Sequence, residues 1–407
     1  MDDTLLHTTD LKEVREKGVH NASEEYINEL RKALGAPEDR LQYREQDLLE
    51  LKEEFPDTKF GVFTRAPRSY ASFVLHSAYP NFQWNILIAY EDVRPTKPYG
   101  DGIVQAMDHY GFEYLNRTVL IGDNDSDISS AYNCGCIAVL DKGLWPYPWK
   151  YEHWGAVGRI PDAVISTPAR VKDFLRDYER FLPELERALS GKPRISNPRF
   201  DAIGHFLPKQ LAGEAKNRFT IYISGRSFSN YRSISERKKW HKLTKSIEDN
   251  KESEVFPDEW VETVREFIAS TFLAHFSPEI RVSVVPHRPG RKPRLENFLA
   301  QIQQSLAADP LPGHNVTFHP GLFAYREGVK SQHNDLLNHS ERFTNVRDHL
   351  YVQEPNRVSK NVAYLVIDDV TTTGASLIYA SKYLEEAGSS NITCLAMAKN
   401  IGNLYSN

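Results

Sequence analysis

The chain has 407 residues, 40% hydrophobic and 26% charged, with a formal net charge of −5. That composition belongs to a globular chain of two or three domains, and the charge gives no reason to expect a dominant nucleic-acid or anionic-membrane surface. Three cysteines, Cys134, Cys136 and Cys394, make no disulfide framework and predict buried thiols in a reducing cytoplasm; no apolar run reaches the ~18–20 residues of a membrane span, and the acidic start is unlike a signal peptide.

The first predicted element lies in SEEYINELRKALG, where Ile27, Leu30 and Leu34 recur at helical spacing. Ser23 is placed to cap its start and Gly35 to end it. QDLLELKEEF predicts a second short helix. KFGVFT, NILIAY and TVLIGD are short apolar runs bounded by turn residues and predict buried strands. Helical stretches around Tyr70 to His76 and Asp101 to Tyr110 separate them. Strands alternating with helices predict a parallel α/β sheet. PELERALSGKPRISNPRF then ends a charged helix and runs into Gly, Pro, Ser and Asn, which predicts domains over 1–182 and 201–407 joined by a linker over 183–200. RFTIYISG opens the second domain as a strand. SISERKKWHKLTKSIEDNKESE, of mixed charge, reads as a solvated helix and loop. IRVSVVP, NVAYLVIDD and NITCLAMA predict three more strands with helices between them, so the second domain is α/β as well.

The second domain carries the most specific pattern, VIDDVTTTGAS from Val366 to Ser376. Asp368 and Asp369 are expected to end a buried strand, and ligands of open α/β sheets bind beyond such ends. Thr371, Thr372, Thr373, Gly374 and Ala375 lead into a helix expected to start near Ser376. Main-chain N–H groups at a helix start carry partial positive charge. Small residues let a phosphate approach them, and hydroxyls add donors. Such a loop can cradle a phosphate while the carboxylates accept from sugar hydroxyls; the plainer alternative is a strand-to-helix turn with capping Thr and Asp. The whole pattern resembles the phosphoribosyl pyrophosphate (PRPP) signature of type I phosphoribosyltransferases. VSVVPHRPGRKPR, Val282 to Arg294, matches the place where that family holds pyrophosphate, which makes His287, Arg288 and Arg291 candidate contacts. YREGVKSQHNDLLNHSERFTNV, Tyr325 to Val346, resembles the mobile loop of the ComF-type subgroup through Arg326, Ser331–Gln332, Arg342 and Asn345–Val346. The cysteine zinc motif of ComF is absent. The resemblance implies displacement at the ribose anomeric carbon, with Mg²⁺ on the pyrophosphate, Asp368 and Asp369 orienting the ribose, and an amine or base nitrogen as the acceptor.

The N-terminal half carries a second set: MDDTLL at the start, Thr64 at a strand end in GVFTRAP, Lys97 in PTKPYGDG, and Asp123 with Asp127 in VLIGDNDSDISSAYNCGC. In this order they resemble the haloacid dehalogenase (HAD) phosphatase superfamily over about Met1 to Leu140. The resemblance implies a Rossmannoid sheet with a small helical cap, Asp123 and Asp127 holding Mg²⁺, Thr64 and Lys97 on the phosphoryl oxygens, and Asp2 as general acid. Aligning Thr4 with the family's threonine puts the nucleophilic aspartate and its strand before Met1. A start assigned to an internal Met is the expectation, and a degenerate domain the alternative.

Together these readings predict a cytoplasmic bifunctional enzyme, a PRPP-dependent phosphoribosyltransferase joined to a HAD-type phosphohydrolase, acting on a nucleotide- or nucleoside-like metabolite. Expected partners are PRPP, an amine or base acceptor and a phosphate ester, with a second copy of the chain as a further candidate; membrane and nucleic acid are not expected. The alternatives are a non-catalytic sensor of PRPP or nucleotides and a ComF-like DNA-processing protein.

Overall fold

The apolar runs become strands, and the strands sort into two α/β units. The computed structural model describes residues 1–208, 211, 218–276, 278–330 and 337–404. One unit comprises Met1–Phe181, Phe228–Trp240 and the C-terminal residues from Gly402; the other comprises Leu182–Ser227 and His241–Ile401.

In the first unit, β1 (Gly61–Phe63) pairs in parallel with β2 (Ile86–Ile88), and β3 (Val119–Gly122), β4 (Ile137–Asp141) and β5 (Ala163–Ile165) form a parallel set of three. The strands are parallel, as expected, but they make two sheets rather than one. Helices Arg68–Ala78, Asp101–His109 and Asp125–Cys134 connect successive strands. Every residue of β4 is buried, as a strand with neighbours on both sides requires. Between the acidic start and β1 the chain is helical. The Glu24–Leu34 helix begins where the Ser23 hydroxyl accepts from the Tyr26 N–H and ends at Gly35, whose φ of 64° suits glycine. Leu30, Leu34, Val62, Val74, Val139 and Ile165 share one apolar core.

In the second unit the sheet runs in the order β10 (Val316–Phe318), β9 (Ile280–Val284), β13 (Ala363–Thr371), β14 (Ile392–Ile401), β7 (Arg218–Ile223), β6 (Asp201–Phe206), and β8 (Arg226–Phe228) also pairs with β14. The pairings from β10 through β7 are parallel, and β6 lies antiparallel to β7 at the edge. β11 (Phe323–Tyr325) and β12 (Leu350–Val352) form a separate antiparallel pair. One sheet face, with Val282, Val284, Leu365, Ile367, Leu395 and Met397, packs in one core with Trp260 and Phe267 of helix Asp258–Thr271 and Phe298 and Ile302 of helix Arg294–Ala308.

Two sequence expectations change. The charged helix read at the start of 183–200 is Glu184–Leu189, but its Glu184, Leu185, Glu186 and Arg187 are buried and it belongs to the second unit rather than to a linker. Leu185 joins the second core, and Glu186 pairs with Arg226 and His241. Its charges are neutralised inside the unit, so charge alone did not mark it as solvated. The run around Arg237 was expected on a solvated face, yet Arg237 is fully buried in the first unit. Its guanidinium pairs with Asp162, donates to the Cys136 carbonyl at 2.9 Å and lies 4.1 Å from the Trp240 ring centre. Asp162 in turn accepts from the Ala138 N–H at 2.8 Å. All three cysteines are free and buried, and among the described residues no helix is long and apolar enough to cross a membrane.

Removing one partner of a buried ion pair leaves the other charge uncompensated, at a cost of about 3–5 kcal/mol. Arg237→Met is therefore expected to lower the urea midpoint by that order. Arg237→Met combined with Asp162→Asn recovers part of the loss, because Asn keeps an acceptor for Ala138. Equal losses in the single and double variants would show that the pairing is not the source.

Candidate functional sites

In the second unit, register builds the site. β9 pairs with β13 only as far as Ile367 opposite Val284, and the Val285 N–H makes the last bond, to the Ile367 carbonyl. β13 runs on to Thr371, held on its other side by β14. The strand therefore does not stop at the two aspartates, as the sequence suggested; it carries them past the end of its neighbour. Asp368 and Asp369 stand half-buried there. Thr372 and Thr373 turn the chain, and Gly374, at φ 79°, precedes helix Ala375–Glu386. The Thr373 hydroxyl accepts from the Ala375 N–H at 3.4 Å. A side chain at Gly374 would meet Ile221 at 3.0 Å and the His205 ring at 3.1 Å, so both conformation and space call for glycine.

The carboxylates are crowded. Burial, and then the neighbouring Asp369 charge, push the Asp368 carboxyl well above its ordinary range, and Arg288 works the other way. Asp369 pairs with Arg294 at 2.7 Å. Arg288 thus lies within electrostatic reach of Asp368, whereas His287 is bonded to Glu296 at 2.8 Å and Arg291 is exposed in the turn. Arg326 is exposed, its guanidinium 5.4 Å from the Tyr351 ring centre, and it lines a cavity of about 370 Å³ with Arg347, Tyr351 and Tyr383. Its neighbour Tyr325 is the residue that reaches toward the loop, 3.5 Å from the Ser376 hydroxyl. Ser331 and Gln332 lie outside the described residues. Asn345 exchanges two hydrogen bonds with the Lys330 main chain, and Arg342 donates to the Leu337 carbonyl.

Three residues of this site escaped the sequence reading. Arg294 was visible as the last letter of the basic loop. Tyr325 precedes the arginine that was singled out. His205 gave no signal: its strand, DAIGHF, was not foreseen. Its ring packs on Gly374 and hydrogen-bonds the Thr373 main chain, while Nε2 is buried without a partner.

In the first unit, Asp123 follows β3 and Asp127 lies in the first turn of helix Asp125–Cys134. Asn124 caps that helix: its carboxamide accepts from the Ser126 N–H, and Asp127 reaches back to the Asn124 N–H at 3.1 Å. Lys97 is 2.6 Å from Asp127 and 4.9 Å from the Phe63 ring centre. The Thr4 hydroxyl donates to Asp123 at 2.6 Å. Burial and the adjacent Asp127 push the Asp123 carboxyl up to about 6. Burial would raise Asp127 too, but the Lys97 ammonium, with the chain's N-terminal ammonium and the Asn124 N–H, holds that carboxyl below its usual range. Thr64, buried next to Phe63, accepts from the Ala66 N–H at 3.0 Å. Asp2 is turned elsewhere: its carboxylate accepts from Thr8 and Tyr70 at 2.8 and 3.0 Å and pairs with Arg15 at 3.4 Å.

Among the described residues, no three His, Cys, Asp or Glu side chains gather as a metal cage. Each site instead offers two crowded carboxylates. That donor set fits Mg²⁺, which takes one or two protein carboxylates and completes its shell with water and phosphate oxygens.

No protein-family model matches the chain, and no curated protein sequence does. Among solved structures it is similar to a protein described as a predicted phosphoglycolate phosphatase from Haemophilus somnus 129PT, at 18% identity over 32% of this chain and 54% of that one, with a TM-score of 0.28. It is similar to a HAD-superfamily hydrolase, subfamily IA, from Geobacter sulfurreducens PCA, at 16% identity over 37% and 65%, with a TM-score of 0.27. A third similarity is to an asparagine mutant of an HPRT studied for an invariant aspartic acid, at 14% identity over 36% and 72%, with a TM-score of 0.22. The chain thus spans about half and two thirds of the first two. All three TM-scores fall below 0.5, so the fold rests on the strand pairings themselves.

Burial and then Lys399 push His205 down to about 4, against 6.5 when unperturbed. A histidine held neutral in the fold leaves stability intact above pH 6.5. As pH falls toward 4 the unfolded chain takes up the proton first, and stability is lost. Wild-type protein is expected to lose roughly 3 kcal/mol more than His205→Gln between pH 7 and pH 4. Parallel pH curves in urea titrations would contradict this.

Proposed function

We propose that the chain joins a PRPP-dependent phosphoribosyltransferase of the type I, ComF-like kind to a HAD-type phosphate-ester site. The observation that carries the reading is β13 running past β9 to deliver Asp368, Asp369 and a loop of small residues at the start of a twelve-residue helix. The low-identity likenesses to HAD-type hydrolases and to an HPRT lie in the same direction without adding weight. The three buried free thiols suit a reducing compartment such as the cytoplasm.

In the second unit, the main-chain N–H groups at Ala375 and Ser376 and the hydroxyls of Thr371, Thr372, Thr373 and Ser376 hold the 5-phosphate. Asp368 and Asp369 accept from the ribose hydroxyls and fix the sugar for displacement. Arg288 and Arg294 counter the charge of the departing pyrophosphate. A nitrogen of the acceptor bonds to the anomeric carbon as that carbon's bond to pyrophosphate oxygen breaks; the pyrophosphate leaves with the electron pair, and the nitrogen gives up its proton to solvent. Mg²⁺, when bound, neutralises the leaving group. In the first unit, Lys97 and Thr64 would meet phosphoryl oxygens, and Asp123 and Asp127 would hold Mg²⁺. The ester taken there is the 5′-phosphate of the transferase product or of a close relative.

PRPP with Mg²⁺ is expected to bind the full chain in the micromolar range, about −8 kcal/mol, by calorimetry. Asp368→Asn/Asp369→Asn removes this micromolar binding and leaves only the weaker binding of a sugar phosphate at the first unit. Gly374→Ala weakens the micromolar binding, because alanine is strained at this φ and crowds Ile221 and His205. Unchanged affinity in the double variant would end the reading of this loop as a ribose-phosphate site.

A further inference from the structure

The chain between Gly143 and Trp154 reads GLWPYPWKYEHW and holds three of the protein's six tryptophans. Phosphate chemistry gives no reason for so many rings beside the first unit's carboxylates. The root of this segment is packed. The Trp145 indole donates to the Asp123 main-chain carbonyl at 2.9 Å. Its ring stacks on buried His153, with centroids 4.4 Å apart, and His153 accepts from the Lys150 N–H at 2.9 Å. Trp149 meets Trp145 edge-on at 5.2 Å and Trp154 at 4.9 Å, with the Lys142 ammonium 5.3 Å from the Trp149 ring centre. Arg159 ties the end of helix Tyr151–Gly158 to Asp125, at 2.8 Å. Beyond this root the rings turn outward: Tyr147 is 95% exposed, Tyr151 91% and Trp154 44%.

Rings this exposed, on a segment fastened to the main chain of Asp123, are placed for a ligand that the carboxylates also hold. We propose that the segment is a stacking platform for the base of a nucleoside 5′-monophosphate whose phosphate lies at Asp123, Asp127 and Lys97. The proposal rests on the phosphate-ester reading of that site. Every nucleobase has a flat π-face that aromatic side chains bind without reading its edge, so the platform selects nucleotides as a class over simple sugar phosphates. Its root is bonded to the Asp123 main chain, so the segment starts at the phosphate site.

The test is calorimetry of AMP and of ribose 5-phosphate, each with Mg²⁺. The full chain carries Asp368→Asn/Asp369→Asn, so that the second unit does not compete. AMP is expected to bind about tenfold more tightly, or better, than ribose 5-phosphate. Tyr151→Ala/Trp154→Ala removes that advantage and leaves ribose 5-phosphate binding unchanged; Tyr151→Phe/Trp154→Phe keeps it. Lys97→Ala weakens both ligands. Equal affinities for the two ligands, with both lost in Lys97→Ala, overturn the platform and leave the phosphate site standing. Equal loss of both ligands in Tyr151→Ala/Trp154→Ala also overturns it, since the rings then only shape the loop. If Lys97→Ala weakens neither ligand, the phosphate-ester reading fails, and the platform with it.

Discussion

Crowding of two carboxylates at the end of a buried parallel strand is the constraint on which both units are built. Like charges this close to each other and to a low-dielectric core repel, and at least one of the pair is driven up in pKa. Asp368 and Asp123 both show it. Each pair keeps a cation at close range, Arg294 on Asp369 and Lys97 on Asp127. The arrangement costs stability in the free protein. On the proposed reading, a divalent cation and a phosphate together supply further charge and donors at each pair. A structural ion pair would not need the second carboxylate.

Backbone geometry makes the crowding possible, and it does so at glycines. A side chain at Gly122 would fall 2.3 Å from the Asp127 carboxyl, so β3 and the start of the following helix approach closely only without one. Gly374 answers two demands at once, a positive φ and contact with Ile221 and His205. In both units glycine stands where the chain passes tightly from strand to helix.

Much of this was legible in the sequence because it is local. Strand, carboxylates, turn and helix follow one another within a dozen residues, and the apolar runs, caps and glycines that define them are neighbours in the chain. The rest was illegible for the opposite reason. His205 reaches the Thr373–Gly374 loop from an edge strand more than 160 residues away, and nothing in DAIGHF announces it. Arg237 looked solvated because its neighbours are charged; its partner Asp162 lies 75 residues earlier. Arg326 was singled out by motif, yet alternation along β11 and its continuation put Tyr325 on the loop side and the arginine outward. Three of the five N-terminal strands, β1 to β3, were predicted and β4 and β5 were not, and a sequence does not say whether parallel strands close into one sheet or two.

On the proposed reading, the two units are linked by chemistry rather than by any shared residue. Phosphoribosyl transfer leaves a 5′-phosphate on its product, and a phosphate ester is what the Lys97, Asp123 and Asp127 cluster is suited to hold. A phosphate site alone would take sugar phosphates as readily as nucleotides, including PRPP and ribose 5-phosphate, and so would drain the substrate of the other unit. Selection must then come from the part of the molecule that transfer adds, the base. Outward-facing rings anchored to Asp123 give the first unit a means of recognising that part and of leaving the unreacted sugar phosphate alone.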